Sequence, residues 1–242
     1  IRALLNLHYN NYDVIIVNDG STDDSLQRAI EAYELEQVSF YINEKITTQK
    51  VRAVYRSTNR AYHNLTMVDK DNGGKSDALN AGLNVSDKSY VVCLDVDSII
   101  EHDALLKLAQ PFLDYQKKRL IAVGGVVHVA NSCKIEKGRL IERRVPGKFF
   151  PRIQVIEYAR AFLIGRISWS RMNGLLIISG AIGMFDREAV IGAGGYLTET
   201  VGEDMELVVR MRRYMYERGI RHKVIYLPDP LLWTEVPDSR KI

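Results

Sequence analysis

The chain has 242 residues, 46% hydrophobic and 26% charged, so it can bury a large core without disulfide or metal staples. Two cysteines, Cys93 and Cys133, exclude a disulfide-scaffold fold and suit a reducing compartment. The net charge of +3 excludes no class of partner, and no apolar run reaches the roughly 18 residues that a membrane span needs. The sequence opens at Ile1 inside an apolar helical pattern, without a start Met or a signal-peptide pattern, and so reads as a piece of something longer. It shows no internal repeat and no low-complexity linker, which favours one domain over residues 1–242.

Residues 1–7 read as the tail of a helix. Val14-Ile15-Ile16-Val17 is a continuous apolar run, hence a buried strand, and it stops at the turn Asn18-Asp19-Gly20-Ser21. Asp23-Asp24 then opens a helix to about Tyr33, with acids at its positive end. Val51 to Tyr55 is a second strand. Asn72-Gly73-Gly74-Lys75 is a turn, and Ser76 to Leu83 a short helix. Tyr90 to Leu94 is a buried strand stopping at Asp95-Val96-Asp97. His102 to Tyr115 is a helix, and Leu120 to Val129 a strand. Beyond Pro151 the pattern is mostly helical to Arg218, and Val224 to Leu227 is a last short strand. Alternating strands and helices in the first half imply an α/β fold with a largely parallel sheet.

Chemistry-bearing residues gather where predicted strands end. Asp19, and Asp95 with Asp97, lie at strand carboxyl ends, where open α/β sheets bind ligands. In an extended Asp-x-Asp both carboxylates face one side and can share a hard cation, Mg²⁺ or Mn²⁺, that also takes phosphate oxygens. The bland reading makes Asp97 a helix cap. Lys75, at a glycine-rich helix start, could hold a phosphate together with backbone amides, or sit in an ordinary surface turn. Glu203-Asp204 precede an amphipathic segment and are either a helix N-terminal pair or the source of a general base for an acceptor hydroxyl.

Residues 134–171 carry ten Lys/Arg against three Glu, interleaved with Phe149, Phe150, Tyr158, Phe162 and Trp169. Such a segment suits an anionic membrane surface, a diphosphate or nucleic acid; no nucleic-acid-binding motif accompanies it. On this reading the membrane contact runs through residues 149–178, with Arg160, Phe162, Arg166 and Trp169 toward lipid headgroups. The five histidines are scattered without metal-ligand spacing, and Cys93 reads as a packing residue.

Together, Val17-Asn18-Asp19-Gly20-Ser21-Thr22-Asp23-Asp24, Asn72-Gly73-Gly74-Lys75 with Ala78-Leu79-Asn80-Ala81-Gly82, Asp95-Val96-Asp97, Ser179-Gly180-Ala181-Ile182-Gly183, Glu203-Asp204 and Trp233-Thr234-Glu235-Val236-Pro237 resemble the ordered signature of family 2 glycosyltransferases. Within that family they look most like the membrane-associated branch of cellulose, hyaluronan and poly-N-acetylglucosamine synthases. The resemblance implies a single-domain GT-A fold, a Rossmann-like nucleotide-binding sheet flanked by helices. It implies inverting, metal-dependent transfer from a nucleotide-diphospho-sugar, a UDP-sugar, to a polysaccharide or glycolipid acceptor at the cytoplasmic face of the cell membrane. By position, Asp19, Lys75 and Asp95 would contact the nucleotide, with Asp19 at the uracil edge. Asp97 with Asp95 would hold Mg²⁺ or Mn²⁺. Asp204, beside Glu203, would be the general base, and Ser179, Gly180 and Trp233 would line the acceptor site.

Three departures accompany the resemblance. The family's opening strand, ending in Pro-x-Tyr/Phe-Asn-Glu, is not in the sequence; Asn18 stands where an aspartate is more usual; and the Gln-x-x-Arg-Trp motif of processive synthases would fall beyond Ile242. Flanking transmembrane helices, expected in that branch, would also lie outside residues 1–242. The competing readings are a sugar-nucleotide-binding module without transfer activity, a sugar-1-phosphate nucleotidyltransferase, whose glycine-rich N-terminal phosphate loop is not seen, and a basic membrane- or nucleic-acid-binding domain.

Overall fold

In the computed structural model, which describes residues 1–95, 98–115, 117–136, 139–200 and 202–237, a short helix α1 (Arg2–Leu5) leads into strand β1 (Val14–Asp19). Helix α2 (Ser25–Tyr33), β2 (Leu35–Val38), β3 (Val51–Ser57) and β4 (Leu65–Lys70) follow. They form a four-stranded sheet of order β1-β4-β3-β2, in which only β1 and β4 run parallel. Between β3 and β4 the chain has no room for a crossover helix, so the pair is antiparallel. Every residue of β4 is buried, because β1 and β3 flank it on both sides. Its polar residues, Thr66, Asp69 and Lys70, therefore need partners inside the protein.

Helix α3 (Gly74–Val85) crosses to the second half of the molecule, which begins with β5 (Tyr90–Leu94), β6 (Ile99–Ile100), α4 (Ala104–Asp114) and β7 (Arg119–Val129). A hairpin of β8 (Lys134–Glu136) and β9 (Arg139–Glu142) comes next. Helix α5 (Phe149–Tyr158), a π-helical stretch Ala159–Arg166 and α6 (Ile167–Arg171) then run without a break. The chain ends with β10 (Ile182–Asp186), α7 (Arg187–Gly192), α8 (Glu203–Glu217) and β11 (His222–Thr234).

The second sheet has the order β5-β10-β7-β11-β6. Strands β5, β7 and β11 point one way, while β10 and β6 run against them. Leu94 and Ile99 are five residues apart and can span at most about 18 Å. Four strand spacings of a flat sheet would be about 19 Å, so the sheet curls to bring its edges together. Strands β1 and β5 are edges of their sheets, and their apolar residues Ile16, Val17, Val91 and Val92 are half-buried.

The expectation of a largely parallel sheet is thus corrected: both sheets are mixed. The strand β10 falls in a stretch read as mostly helical. All five of its residues are buried, so it lacks the alternation that marks a half-exposed strand. The last strand is also thirteen residues rather than four, because bulges interrupt its pairing with β7 at Tyr226–Pro230 and Pro230–Leu232 without ending it. In the helical stretch, Phe162 and Arg166 face inward instead of toward lipid. Phe162 is 5% exposed and packs on Tyr158, and the Arg166 guanidinium lies over the rings of Phe162 and Tyr226. The i→i+5 winding of the π segment turns these side chains away from the face that a regular helix would give them.

The main core lies between the second sheet and helices α4 and α8, with Leu108, Leu207, Met211, Ile121 and Leu232 fully enclosed. A Leu108→Ala substitution should cost about 2–5 kcal/mol of stability, read as a drop in the denaturation midpoint at unchanged slope.

Candidate active site

The carboxyl ends of the parallel neighbours β1 and β4 lie side by side, with Asp19 paired to Lys70 in the register. Two glycine-containing turns are laced together there. Asn72 donates its amide to the Asp19 carbonyl at 2.8 Å, and the Gly73 and Gly74 N–H groups donate to the Asp19 carboxylate at 3.0 and 2.7 Å. Gly20 permits this lacing: its φ is +70°, and a Cβ there would meet the Asn72 nitrogen at 2.8 Å. The sequence reading gave the amides at the start of α3 to a phosphate; the structure gives those of Gly73 and Gly74 to Asp19. A carboxylate is itself the anion that a helix N-terminus favours.

Lys70 is 0% exposed. Its ammonium is held by Asp19, by Asp77 at 2.6 Å and by the Asp71 carbonyl at 2.6 Å. Asp77 also accepts from the Gln49 N–H. Burial by itself would lower the Lys70 pKa, but the bonds to Asp19 and Asp77 outweigh it and raise the value. For Asp19, burial pushes the pKa up, while Lys70 and the two glycine amides hold it below the ordinary carboxylate range. A second network lies beside this one: Asn18 donates to Asp69, which also accepts two hydrogen bonds from Arg52.

At the second residue of α3, Lys75 reaches toward the carboxyl end of β5. Its ammonium lies 2.7 Å from Asp95 and 3.3 Å from Glu203. Burial lowers the Lys75 pKa and the two carboxylates raise it, with a net upward shift. Glu203 and Asp204 open α8 after Gly202, whose φ is +90°. The Gly180 N–H donates to Asp204 at 3.2 Å. A Cβ on Gly180 would lie 3.6 Å from the Lys75 ammonium, 3.7 Å from Asp204 and 3.8 Å from Glu203. Gly180 therefore leaves free a space that one ammonium and two carboxylates border, and Ser179 shares the same lining.

Tyr196 and Cys93 close this space from below. Asn80 fixes Tyr196 with both ends of its amide, accepting from the Tyr196 N–H and donating to its carbonyl. Burial raises the Cys93 thiol to about 11 and the Tyr196 phenol well above its ordinary range, so both stay protonated at neutral pH.

The structure thus gathers Lys75, Asp95, Glu203, Asp204, Ser179 and Gly180, with Asp19 bonded to the Gly73 and Gly74 amides that directly precede Lys75. Trp233 is placed elsewhere. It is 7% exposed, stacks on His128 at 4.7 Å, donates its indole N–H to Glu101 at 2.7 Å and is covered by the Arg143 guanidinium. Asp97 lies outside the described residues. Among the described residues, no group of three or more acid, histidine or cysteine side chains is poised for a metal. Asp95 and Glu203 nonetheless converge on one ammonium, so two hard oxygen donors can face a single cation. Sequence reading missed Lys70 and Asp77; Tyr196 belongs to Gly194-Gly195-Tyr196, a further match to the family signature, but its place under the site was not foreseen. The available signal was a lysine ending a run, Leu65-Thr66-Met67-Val68, otherwise suited to a buried strand.

The mixed α/β sheets, with acids and a lysine at strand carboxyl ends, have the fold of GT-A glycosyltransferases. A mannosyltransferase from Pyrobaculum calidifontis, solved with GDP-Man and Mn²⁺, matches 97% of this chain and 51% of its own, with a TM-score of 0.59 and 19% identity. GalNAc-T7, solved with UDP, GalNAc and Mn²⁺, matches 93% of this chain and 38% of its own, with a TM-score of 0.53 and 11% identity. The sequence profile of glycosyl transferase family 2 matches residues 1–176, and the chain belongs to that family. Poly-β-1,6-N-acetyl-D-glucosamine synthases of Staphylococcus epidermidis and Staphylococcus aureus (strain COL) are 26% and 28% identical over 99% of this chain. The chain spans about half the length of these relatives, 46% in both cases.

Replacing Lys70 with Met leaves two carboxylates without their shared cation and should cost about 3–5 kcal/mol. Asp19 has a depressed pKa, so its contribution is full above its ordinary value of 3.8 and is lost as pH falls through the folded value. Lys70 has a raised pKa, so its contribution is full below 10.5 and is lost as pH rises through the folded value. The stability gap between wild type and Lys70→Met should accordingly be flat between those limits and shrink at acid pH, as measured by urea unfolding across pH.

Proposed function

We propose that this chain transfers a sugar, with inversion, from a UDP-sugar to a saccharide or glycolipid acceptor, as part of polysaccharide assembly. The observation that carries the reading is the convergence of Lys75, Asp95, Glu203 and Asp204 around the uncrowded Gly180. The Mn²⁺ named for the two similar structures and the synthase relatives support it; of the nucleotides, the UDP of GalNAc-T7 supports the uridine donor, whereas the GDP-Man of the mannosyltransferase supports only the nucleotide-sugar class.

Asp204 takes the proton of the acceptor hydroxyl as that oxygen bonds to the anomeric carbon. The bond to the diphosphate breaks on the opposite face, which inverts the centre. Lys75 exchanges its carboxylate partners for the diphosphate and offsets the charge that develops on it. Asp95, with Asp97, would hold Mg²⁺ or Mn²⁺, which supplies Lewis-acid charge to the leaving group. Asp19, occupied by Lys70 and the glycine amides, shapes the nucleoside end of the site by fixing the loop that carries Lys75. Ser179 and Gly180 line the acceptor side.

Calorimetry should show UDP binding that needs Mn²⁺ or Mg²⁺ and exceeds ADP or GDP binding. In Lys75→Ala it should weaken about tenfold or more, and Asp204→Asn should keep UDP affinity within about twofold while transfer drops by about 10²–10⁴. A folded protein with no metal-dependent UDP binding would remove this reading.

A membrane surface completes the proposal. No helix among the described residues is long and apolar enough to cross a bilayer. Along residues 149–176, however, Phe149, Ile156, Ile164, Trp169, Met172 and Leu176 are exposed, with Trp169 at 56%. Arg152, Arg160 and Arg171 lie on the same helical stretch. This combination suits the interface of an anionic leaflet, and it supports a location at the cytoplasmic face of the cell membrane. Sedimentation with anionic vesicles should exceed that with neutral ones and fall several-fold in an Ile164→Ser, Trp169→Ser double variant. Equal sedimentation with both lipids would sink the idea.

A further inference from the structure

We propose that the chain carries a second ligand site, for a nucleotide or similar ring-bearing anion, in a cleft at the end of the second sheet opposite the Lys75 cluster. The cleft encloses about 490 Å³, within the usual range of about 300–1,000 Å³ for small-molecule sites. It is built where β5 and β7 begin and β10 ends. Strand β5 starts at Tyr90 in the cleft and ends beside Asp95; β10 begins next to Gly180 and ends at Asp186 in the cleft. The two sites therefore occupy opposite ends of the same two strands, about 15 Å apart at strand rise.

The cleft has an aromatic side and a cationic side. Tyr90, Phe112 and Tyr115 supply the rings, with Tyr90 and Phe112 centroids 4.3 Å apart. Four cations line it, and two already have carboxylate partners. Arg119 is held by Asp186 and Glu188, and Lys88 by Asp13. The other two differ. Arg187 spends its Nε and Nη2 on the single carbonyl of Leu83, at 3.0 and 2.9 Å, and makes no ion pair among the described residues. Lys118 makes none either. Counting Asp13, four carboxylates face the four cations and the cleft is neutral overall, but the acids are unevenly spread: Asp186 and Glu188 both serve Arg119, and Asp87 is shared by Arg187 and Lys118.

Burial lowers the Arg187 pKa, so the fold keeps this guanidinium charged at a cost that a bound oxyanion would offset. Tyr90 is the exposed ring, while Phe112 and Tyr115 are half-buried and the Lys223 ammonium already lies 5.0 Å over the Tyr115 ring; guanidinium and ammonium groups beside such an aromatic edge can recognise phosphate and a planar base together. A bare phosphate uses only the first half of that surface, and an uncharged sugar only the second.

Equilibrium dialysis with ADP and UDP in the presence of EDTA tests this, because the donor site proposed above needs a divalent ion. The expected result is one metal-independent site per chain. Lys118→Gln and Tyr115→Leu should each weaken it about fivefold or more, while Lys75→Ala leaves it unchanged. Lys118 and Tyr115 lie outside the main core, and the fold of each variant is checked by its denaturation midpoint. No metal-independent nucleotide binding by the folded protein would overturn the proposal. So would binding that Lys75→Ala abolishes and Lys118→Gln does not, which would assign it to the donor site. Inorganic pyrophosphate that competes as well as ADP would show that no ring is recognised, and would overturn the nucleotide assignment.

Discussion

Lys70 ends a fully buried strand, and its ammonium has no access to water. An unpaired charge there would not be tolerated, so two aspartates from different segments, Asp19 and Asp77, must come to it. Bringing Asp19 to Lys70 also brings it to the Gly73 and Gly74 amides, which fixes the turn before α3. Bringing Asp77 there fixes the first turn of α3 itself. Lys75 lies between these anchors, and its reach toward Asp95 and Glu203 follows from where they hold the helix. The geometry of the Lys75 cluster thus depends on an ion triad outside it.

The rest of the cluster comes from the second sheet. Its curl and its strand directions put the end of β5, the start of β10 and the start of α8 at one edge. Asp95, Gly180 and Asp204 arrive there from three distant parts of the chain. Gly180 matters for what it leaves out: any longer side chain would occupy the space between Lys75 and the two acids. Asn80, on α3, ties the floor residue Tyr196 to the same helix that carries Lys75. One short helix therefore sets both the cation and the floor of the site.

Two other surfaces divide the remaining chemistry. The continuous helical stretch from Phe149 to Arg171 turns Phe162 and Arg166 into the protein and leaves Ile164 and Trp169 outside, so its apolar face is narrower than the sequence suggested. The cleft between α4 and α7 gathers four cations, of which Arg187 and Lys118 share Asp87 without a direct ion pair among the described residues. Neither surface overlaps the edge that carries the Lys75 cluster.

The sequence by itself determined the fold class, the strands β1, β5 and β7 and the helices α2, α3 and α4, and it singled out Lys75, Asp95, Glu203 and Asp204, which the structure brings together. These were legible because buried strands show as continuous apolar runs and because the motifs occur in a fixed order at strand ends. Other features were decided only by tertiary structure. The direction of β3 and the existence of β10 depend on which strands become neighbours, and a strand buried on both faces carries no periodic mark. The burial of Trp233 depends on His128, Glu101 and Arg143, which are far from it in sequence. The role of Lys70 was hidden for the same reason. A lysine at the end of a strand is solvated in most settings, and only the enclosure of β4 by β1 and β3 makes it an internal cation that two aspartates must neutralise.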